Sequence, residues 1–395
     1  MNFDKKKLES ELPSFFPALL DELYLHGHVP TLVGGAVRDF FLFGSTGKDW
    51  DIELSHETIA FNKDQWKQLA KDLSRFGKVT SLPYEIIRLE AEGFQLEFSP
   101  PRKEHFEEDK NHHSNFTAEF IFKLPFEEAV QRRDFTINAM GFRFKTKKDI
   151  EHLDPLEGLR HLREKVLHFA GPDFGKDPVR FLRAHRFAEK YQFQFSPELK
   201  KVLDQMRVDG FTPNYLWTEM QKSLHQVGFL GRILKEKERH PEMRLPLDPS
   251  VLPKLDEVKK VLSDPKRHEA WIVALEWTDI PYESWREYFS VGSDSARRLA
   301  RWAQSSKSFQ KILPETFHGE FEEIRDTENF EKLFDWYFTT KQLLQKNPDL
   351  PLMKMIEDYL PDWIHLYRFE AVKDVKHIDP PFRAKYQVWN LCQRL

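Results

Sequence analysis

Thr31-Leu32-Val33-Gly34-Gly35-Ala36-Val37-Arg38-Asp39, followed by Asp49-Trp50-Asp51-Ile52-Glu53-Leu54, decides how the first part of this chain is built. Residues 31–33 read as a buried strand running into two glycines. Residues 36–43 read as a helix that begins at those glycines. Paired glycines between a strand and a helix let backbone N–H groups approach a phosphate, and the helix N-terminus favours anions. Arg38, one turn into the helix, can add a charge-assisted contact. Residues 49–54 alternate polar and apolar, which is a strand signal, and the period of two puts Asp49 and Asp51 on one face. Converging hard carboxylates are what a pair of divalent ions requires, with the metals about 4 Å apart. Each half alone also has a plain reading, a tight turn and solvated acids. Together, in this order and spacing, they favour phosphate with Mg2+.

Outward from this stretch, residues 13–26 read as a short helix ending near Gly27, and residues 62–75 as another. Three strand-like runs follow at 78–82, 84–89 and 94–99, punctuated by Gly77 and Gly93. Residues 100–116 are charged and without period, so a mobile loop is expected there. Beyond about residue 155 strand signals nearly vanish. Helical periodicity then continues, broken at Pro213, Pro241, Pro246, Pro281 and Pro380. No internal repeat or low-complexity tract is seen. The expected fold is α+β, a mixed head of strands and helices followed by an all-helical part.

The composition fits. A chain of 395 residues suggests two to three domains at about 150 residues each. Lys and Arg number 60 against 64 Asp and Glu, a net charge of −4, so the overall balance does not announce a nucleic-acid binder. A local basic face would suffice for one. Phe-rich aromatic content argues against disorder. The single cysteine, Cys392, excludes an intrachain disulfide or a cysteine-based zinc site. No apolar run approaches the roughly 20 residues that span a bilayer, so no membrane association is expected. Residues 12–20 are apolar but follow Glu9 and Glu11, and they read as a helix, not a signal peptide. A cytoplasmic location is expected.

Two further constellations carry chemistry. Arg132-Arg133-Asp134-Phe135-Thr136-Ile137-Asn138-Ala139 can pair structurally at a helix start, or can hold a triphosphate and a ribose hydroxyl, and both readings stay open. Asp177-Pro178-Val179-Arg180-Phe181-Leu182-Arg183-Ala184-His185-Arg186-Phe187 reads as a helix with Pro178 in its first turn. Asp177 and Arg180 are neighbours on one face, Arg183 and Arg186 continue the row, and Phe181, Leu182, Ala184 and Phe187 pack inward. An exposed basic stripe is the plain alternative. An Asp–Arg pair offers an acceptor beside a donor. Cytosine and adenine each present an amino donor beside a ring-nitrogen acceptor. Uracil and guanine would leave Asp177 facing a carbonyl.

In this order the motifs resemble those of the class II tRNA nucleotidyltransferases and bacterial poly(A) polymerases, within the DNA polymerase β superfamily. The match runs from about Thr31 to Leu224 and includes Leu153-Asp154-Pro155-Leu156-Glu157-Gly158-Leu159 as a third motif. The resemblance implies a polymerase-β-like head over residues 1–150 and a neck that recognises the base over 151–230. It implies a helical body and tail that bind tRNA over 231–395. It implies Mg2+ on Asp49 and Asp51 and triphosphate contacts from Gly34, Gly35 and Arg38. Ribose and phosphate contacts follow for Arg132, Arg133 and Asp134. Asp177 and Arg180 match the pair that reads the incoming base, with Arg183 and Arg186 nearby. Glu97 sits where the superfamily often keeps a third carboxylate, and a solvated strand residue is the alternative.

The implied function is addition of C, C and A to the tRNA 3′ end from CTP and ATP, without a template and with no protein partner. A poly(A) polymerase, or an enzyme adding only CC or only A, is the alternative within the class. A non-catalytic RNA-binding relative is the rival outside it, and the presence of both aspartates argues against that. There are departures. Lys176 stands where the family often has Glu, and Asn214-Tyr215 stand where a fifth motif usually has Glu-Arg, so the support of the neck helix must differ. No His-Asp dipeptide occurs, so phosphohydrolase activity is not expected. Basic residues such as Lys373, Lys376, Arg383, Lys385 and Arg394 are candidates for RNA backbone contact, with a solvated surface as the plain alternative.

Overall fold

Phe16 on a helix, Trp50 on a strand and Phe144 on another meet edge to face, with ring centroids 5.3 and 5.1 Å from Phe16, and the head is assembled around them. The computed structural model describes residues 3–57, 60–107, 113, 115–210, 212–223, 226–245 and 249–253. The expected body and tail, with Cys392 and the basic residues of 370–395, lie almost wholly outside the described residues. The chain divides into two compact units, Met1–Thr212 with Arg239–Met243, and Pro213–Glu238 with Arg244–Leu395.

The first unit opens with α1 (Lys5–Glu11), α2 (Phe16–Leu25), β1 (Val29–Val33), α3 (Gly35–Phe43), β2 (Asp49–Ser55) and α4 (Lys63–Leu73). Five strands follow: β3 (Lys78–Leu82), β4 (Ile86–Ala91), β5 (Phe94–Ser99), β6 (Arg102–Phe106) and β7 (Phe116–Phe120). After α5 (Phe126–Ala129) come β8 (Gly141–Phe144), β9 (Ile150–Leu153), α6 (Gly158–Glu164) and β10 (Val166–Leu167). The unit continues with α7 (Val179–Tyr191), β11 (Gln194–Phe195) and α8 (Pro197–Gln205). The second unit contributes α9 (Pro213–Gln221) and α10 (Gln226–Glu236). The α+β head expected from the sequence is thus present. Past residue 155 the only strands among the described residues are the two-residue pair β10 and β11.

Seven strands form one mixed sheet in the order β3-β4-β5-β2-β1-β8-β9. All its pairings are antiparallel except β2 with β5. The register puts Leu32 opposite Ile52 and Phe142, so Trp50, Ile52, Leu32, Phe142 and Phe144 share one face. Helices α2 and α3 cover that face: Phe16 packs on Trp50, and Phe40 and Phe41 pack on Phe142. The opposite face carries Asp49, Asp51 and Glu53, the alternate residues of β2. Part of it is covered by a smaller core of Val33, Phe126, Val130, Ala139 and Ala170. Burying one face of a central strand forces the intervening residues outward. The Asp-x-Asp alternation therefore becomes a surface.

Two expectations are corrected. The strand expected from residue 84 begins at Ile86, because Tyr84 and Glu85 take left-handed φ values of 60° and 54° and turn the chain between β3 and β4. The loop expected over 100–116 is in its first part a strand. β6 pairs with β7 from Arg102 opposite Phe120 to Phe106 opposite Phe116. Its charged residues suit a strand because alternate ones are satisfied sideways. Arg102 binds Glu104 at 2.7 Å and lies over the rings of Tyr84 and Phe116 at 5.2 and 5.8 Å. Residues 108–112 and 114 lie outside the described residues.

The inward residues expected on α7, Phe181, Leu182, Ala184 and Phe187, are all buried, but so are Arg180 and Arg186. An exposed basic stripe is thereby excluded. In α9, where Asn214-Tyr215 replace the usual pair, Leu216, Trp217, Glu219 and Met220 are buried and Lys222 pairs with Glu219 at 3.5 Å.

One buried group makes the fold acid-sensitive. His28, just before β1, packs against His56, Trp66 and Phe122, with centroids 5.1 to 5.9 Å away. Burial, reinforced by the His56 charge, pushes its pKa down to about 4. The folded protein keeps it neutral while the unfolded chain takes up a proton below about 6.5. Stability is therefore lost as pH falls from 6.5 towards 4, by roughly 2 kcal/mol between pH 7 and pH 5. His28→Phe should shrink the drop in urea midpoint between those two pH values. An equal drop in both proteins would show that another group carries the sensitivity.

Candidate active site

Strand β1 is followed by Gly34, whose φ of 81° is in the left-handed region and which sits at the N-cap of α3. A Cβ there would lie 2.9 Å from Arg133 Nη1 and 3.0 Å from Asp51 Oδ2. Glycine is thus required both for the turn and for the close approach of these two side chains. The backbone at the α3 N-terminus, the Asp51 carboxylate and the Arg133 guanidinium converge on one place.

Asp49 and Asp51 are exposed on β2. Their backbones pair with β1 and β5, but neither carboxylate has a hydrogen bond or salt bridge among the described residues. Glu53, next in the alternation, is buried and accepts from Arg132 Nη2 at 3.3 Å. Glu97 stands opposite Asp51 on the parallel neighbour β5. Its Oε1 accepts from Arg88 Nε and Nη2 at 3.0 and 2.6 Å, so an arginine compensates its charge. Asp49, Asp51 and Glu97 do not bring their oxygens within 4.8 Å of one another. Among the described residues only Glu22, His26 and Asp72 form such a trio. That trio lies on α2 and at its end and on α4. Gln68 and Arg75 bond its carboxylates, and it reads as an ion-pair cluster.

The second motif faces the first. Arg132 and Arg133 each have a buried Nε without a hydrogen-bond partner. Burial, and then the charge of Arg132, lower the pKa of Arg133, with Asp51, Glu53 and Asp134 opposing. Two guanidiniums with unspent donors beside two unspent carboxylates make a site that accepts a polyanion and a cation together. Asp134 is buried. It accepts from Phe135 N at 2.8 Å, Asn138 Nδ2 at 2.9 Å and Arg183 Nε at 2.8 Å. Burial opposes its ionisation, but the Arg183 charge and these hydrogen bonds outweigh burial and hold the carboxyl well below the usual range.

Asp177 precedes α7 and caps it, accepting from Val179 N at 2.9 Å. Its other visible partner is His113 from the β6–β7 connection, with Nδ1 at 2.9 and 3.1 Å from the two oxygens. Arg180 Nε is 4.0 Å from Asp177, and its Nη1 and Nη2 donate to the carbonyls of Asp173 and Arg132 at 3.3 and 2.7 Å. The pair is adjacent, and Arg180 also ties α7 to the second motif. Arg186 is buried with its guanidinium 4.6 Å from the Phe187 ring. Arg38 is buried too. It bonds Asp39 and Asn138 at 2.8 and 2.7 Å and faces the rings of Phe187 and Tyr191. Its guanidinium is thus committed to side chains of its own chain. In the third motif, Asp154 caps α6 by accepting from Gly158 N and Leu159 N at 2.6 and 3.0 Å.

Three participants were not singled out from the sequence: Glu53, His113 and Asn138. Glu53 was visible in principle, since it continues the Asp49, Asp51 alternation, and Asn138 stands inside the second motif. His113 has no signal without its contact with Asp177.

A strand, a glycine turn and a helix stand beside exposed strand carboxylates and are faced by paired arginines. Residues 31–168 match the family described as the poly A polymerase head domain. The chain is 30% identical over 249 residues to a multifunctional CCA protein of Xanthomonas campestris pv. campestris, covering 54% of each chain. It is 28% identical over 367 residues to the A-adding tRNA nucleotidyltransferase of Aquifex aeolicus, covering 87% of this chain and 41% of that one. Among solved structures, a tRNA-processing enzyme in an apo form aligns with a TM-score of 0.60 at 22% identity, covering 99% and 98% of the two chains. A CCA-adding enzyme in complex with CTP aligns at 0.56 and 20%, covering 92% and 85%. The chain spans about half the length of the known relatives it matches by sequence. The similarity is therefore strongest in the head, which resembles the poly A polymerase head domain and the matching part of the CCA proteins.

Proposed function

We propose that this protein adds C, C and A to the 3′ end of tRNA from CTP and ATP without a nucleic-acid template. The observation that carries the reading is the convergence at Gly34 of an unpartnered Asp51 and a guanidinium, Arg133, with an unspent buried donor. The similarity to CCA proteins supports it. In this reading residues 1–150 are the catalytic head, 151–230 the neck and 231–395 the part that holds tRNA, and the compartment is the cytoplasm.

The free, exposed carboxylates of Asp49 and Asp51 are the hard donor set that suits Mg2+. They would hold metal that lowers the pKa of the RNA 3′-hydroxyl and steadies the triphosphate. Backbone N–H groups at Gly34 and Gly35 and the guanidiniums of Arg132 and Arg133 bind the triphosphate oxygens. Asp134, fixed by Arg183, orients the ribose. Asp177 and Arg180 read the base, Asp177 accepting from the amino group of C or A. The 3′-hydroxyl oxygen attacks the α-phosphorus and pyrophosphate leaves towards the arginines. Arg38 acts by holding α3 in place. Glu97, compensated by Arg88, enters as a neighbour of Asp51 and not as a metal ligand.

The test is to offer each nucleoside triphosphate, singly and in pairs, to tRNA lacking its 3′ end and to read product length on a gel. CTP alone should add two residues, and CTP with ATP three. The long match to an A-adding enzyme favours one second reading, addition of the terminal A alone. Extension only of tRNA already ending in CC would establish it. No extension of any substrate would overturn the catalytic reading.

The β6–β7 hairpin should govern the switch from C to A. One pocket must serve both bases, and the purine is larger, so a neighbouring element has to change place. Phe106 of β6 lies over Arg180, and His113 bonds Asp177. Replacing residues 107–115 by a short glycine linker should leave both C additions and abolish the A. Completion of CCA at a comparable rate would show that the hairpin is not the switch.

A further inference from the structure

A single buried amide connects the two ends of the site. Asn138 closes the short 3-10 turn Thr136–Asn138 and is 5% exposed. Its Oδ1 accepts from Arg38 Nη1 at 2.7 Å, and its Nδ2 donates to Asp134 Oδ1 at 2.9 Å. The orientation of the amide follows from its partners, because a guanidinium only donates and an ionised carboxylate only accepts. The chain of contacts continues on both sides. Arg38 Nε donates to Asp39 at 2.8 Å, and Arg183 Nε donates to the other oxygen of Asp134 at 2.8 Å. Asp39, Arg38, Asn138, Asp134 and Arg183 thus form one line of hydrogen bonds across α3, the 3-10 turn and α7.

The helices so joined have different duties. Helix α3 begins at Gly35, where the triphosphate is read to sit, and α7 begins just after Asp177, where the base is read. We infer that Asn138 is a positioning residue that sets the distance between phosphate binding and base reading, so that a correctly paired base brings its α-phosphorus into line. The inference rests on the nucleotidyltransferase reading above. Asn138 touches no reacting atom and acts through Arg38 and Asp134. Between Arg38 on α3 and Asp134 before the turn, the amide supplies one acceptor and one donor. Misplacement of about 1 Å can cost on the order of a hundredfold in rate, so a lost spacer in this position should be felt in catalysis.

The experiment uses the full chain and two variants. Asn138→Ala should lower kcat for CTP and ATP by roughly ten- to a hundredfold, with a smaller change in KM. It should also narrow the preference for CTP over UTP by about tenfold, as α7 is no longer tied to α3. Asn138→Asp keeps the acceptor for Arg38 but sets a second carboxylate against Asp134. The charges that face it are Arg38 and Asp39 on α3, Asp134 before the turn and Arg183 on α7. Protonation of the new carboxyl restores a donor, so the activity of Asn138→Asp relative to wild type should rise as pH falls from 8 to 6. A loss of packing alone would give no such profile and no change in base preference. If Asn138→Ala fails to fold, the pH profile of Asn138→Asp decides, and a flat relative profile overturns the inference. A folded Asn138→Ala with kcat and base preference within about twofold of wild type overturns it as well. Wild-type protein that adds no nucleotide overturns the functional reading and this inference together. An active wild type with indifferent variants strikes only the inference.

Discussion

Asp49→Ala and Asp51→Ala should each lower nucleotide addition by about a thousandfold or more, roughly 4 kcal/mol in the barrier, while melting temperature and tRNA affinity stay near wild type. Both carboxylates are exposed on β2 and bonded to no described residue, so the fold loses no partner with them. Their removal acts on the chemistry alone. Contrast Glu53 on the same face: it is buried against Arg132, and its loss would strand an arginine. Single-turnover addition of CMP to tRNA lacking its 3′ end, alongside a filter-binding measurement, separates the two effects. Either variant retaining activity within about tenfold of wild type would falsify the metal assignment.

Asp177→Ala should relax base choice as well as slow addition. Removing the acceptor removes the penalty against a carbonyl, and unpaired buried polar groups cost about 1–3 kcal/mol, so discrimination against UTP should fall roughly ten- to a hundredfold. The geometry adds a second consequence. Asp177 also caps α7 through Val179 N, and loss of such a cap costs about 1 kcal/mol of stability. Asp177→Asn keeps an oxygen for the cap and replaces the base-facing acceptor by an amide. It should therefore melt near wild type yet still lose its preference for C and A. Kinetic constants for CTP, ATP, UTP and GTP measure this directly. A still-active Asp177 variant with unchanged selectivity would sink the base-reading role.

Local signals located most of the head. The glycine pair, the alternation of 49–54 and the strands at 78–82 and 94–99 all lie where the residues imply, because period and turn chemistry are properties of neighbouring residues. The misreadings share a cause. Residues 102–106 look like a charged loop until Arg102 is seen between two rings with Glu104 beside it, contacts with Tyr84 and Phe116 that no local pattern announces. For the row Arg180, Arg183 and Arg186, the plain alternative of a solvated stripe falls for the same reason. Two of the arginines are buried, and the third is bound to Asp134, 49 residues earlier in the chain.

What the sequence determined by itself is the chemical inventory and its order: a strand into Gly34-Gly35, the acids Asp49 and Asp51 on one face of β2, the Arg132-Arg133-Asp134 triplet and the Asp177–Arg180 pair. These depend on spacing along a strand or helix, which repeats every few residues and needs no distant partner. Tertiary structure alone decided which of those groups remain free for a ligand. Asp51, Arg132 and Arg133 keep unspent oxygens or donors. Glu97 is taken by Arg88, Arg38 by Asp39 and Asn138, and Asp134 by Arg183. Charge pairing across a fold depends on which side chains the packed sheet and helices bring within about 3 Å. Between Asp134 and Arg183, or Arg38 and Asn138, that distance is set by the whole head and by no stretch of the chain.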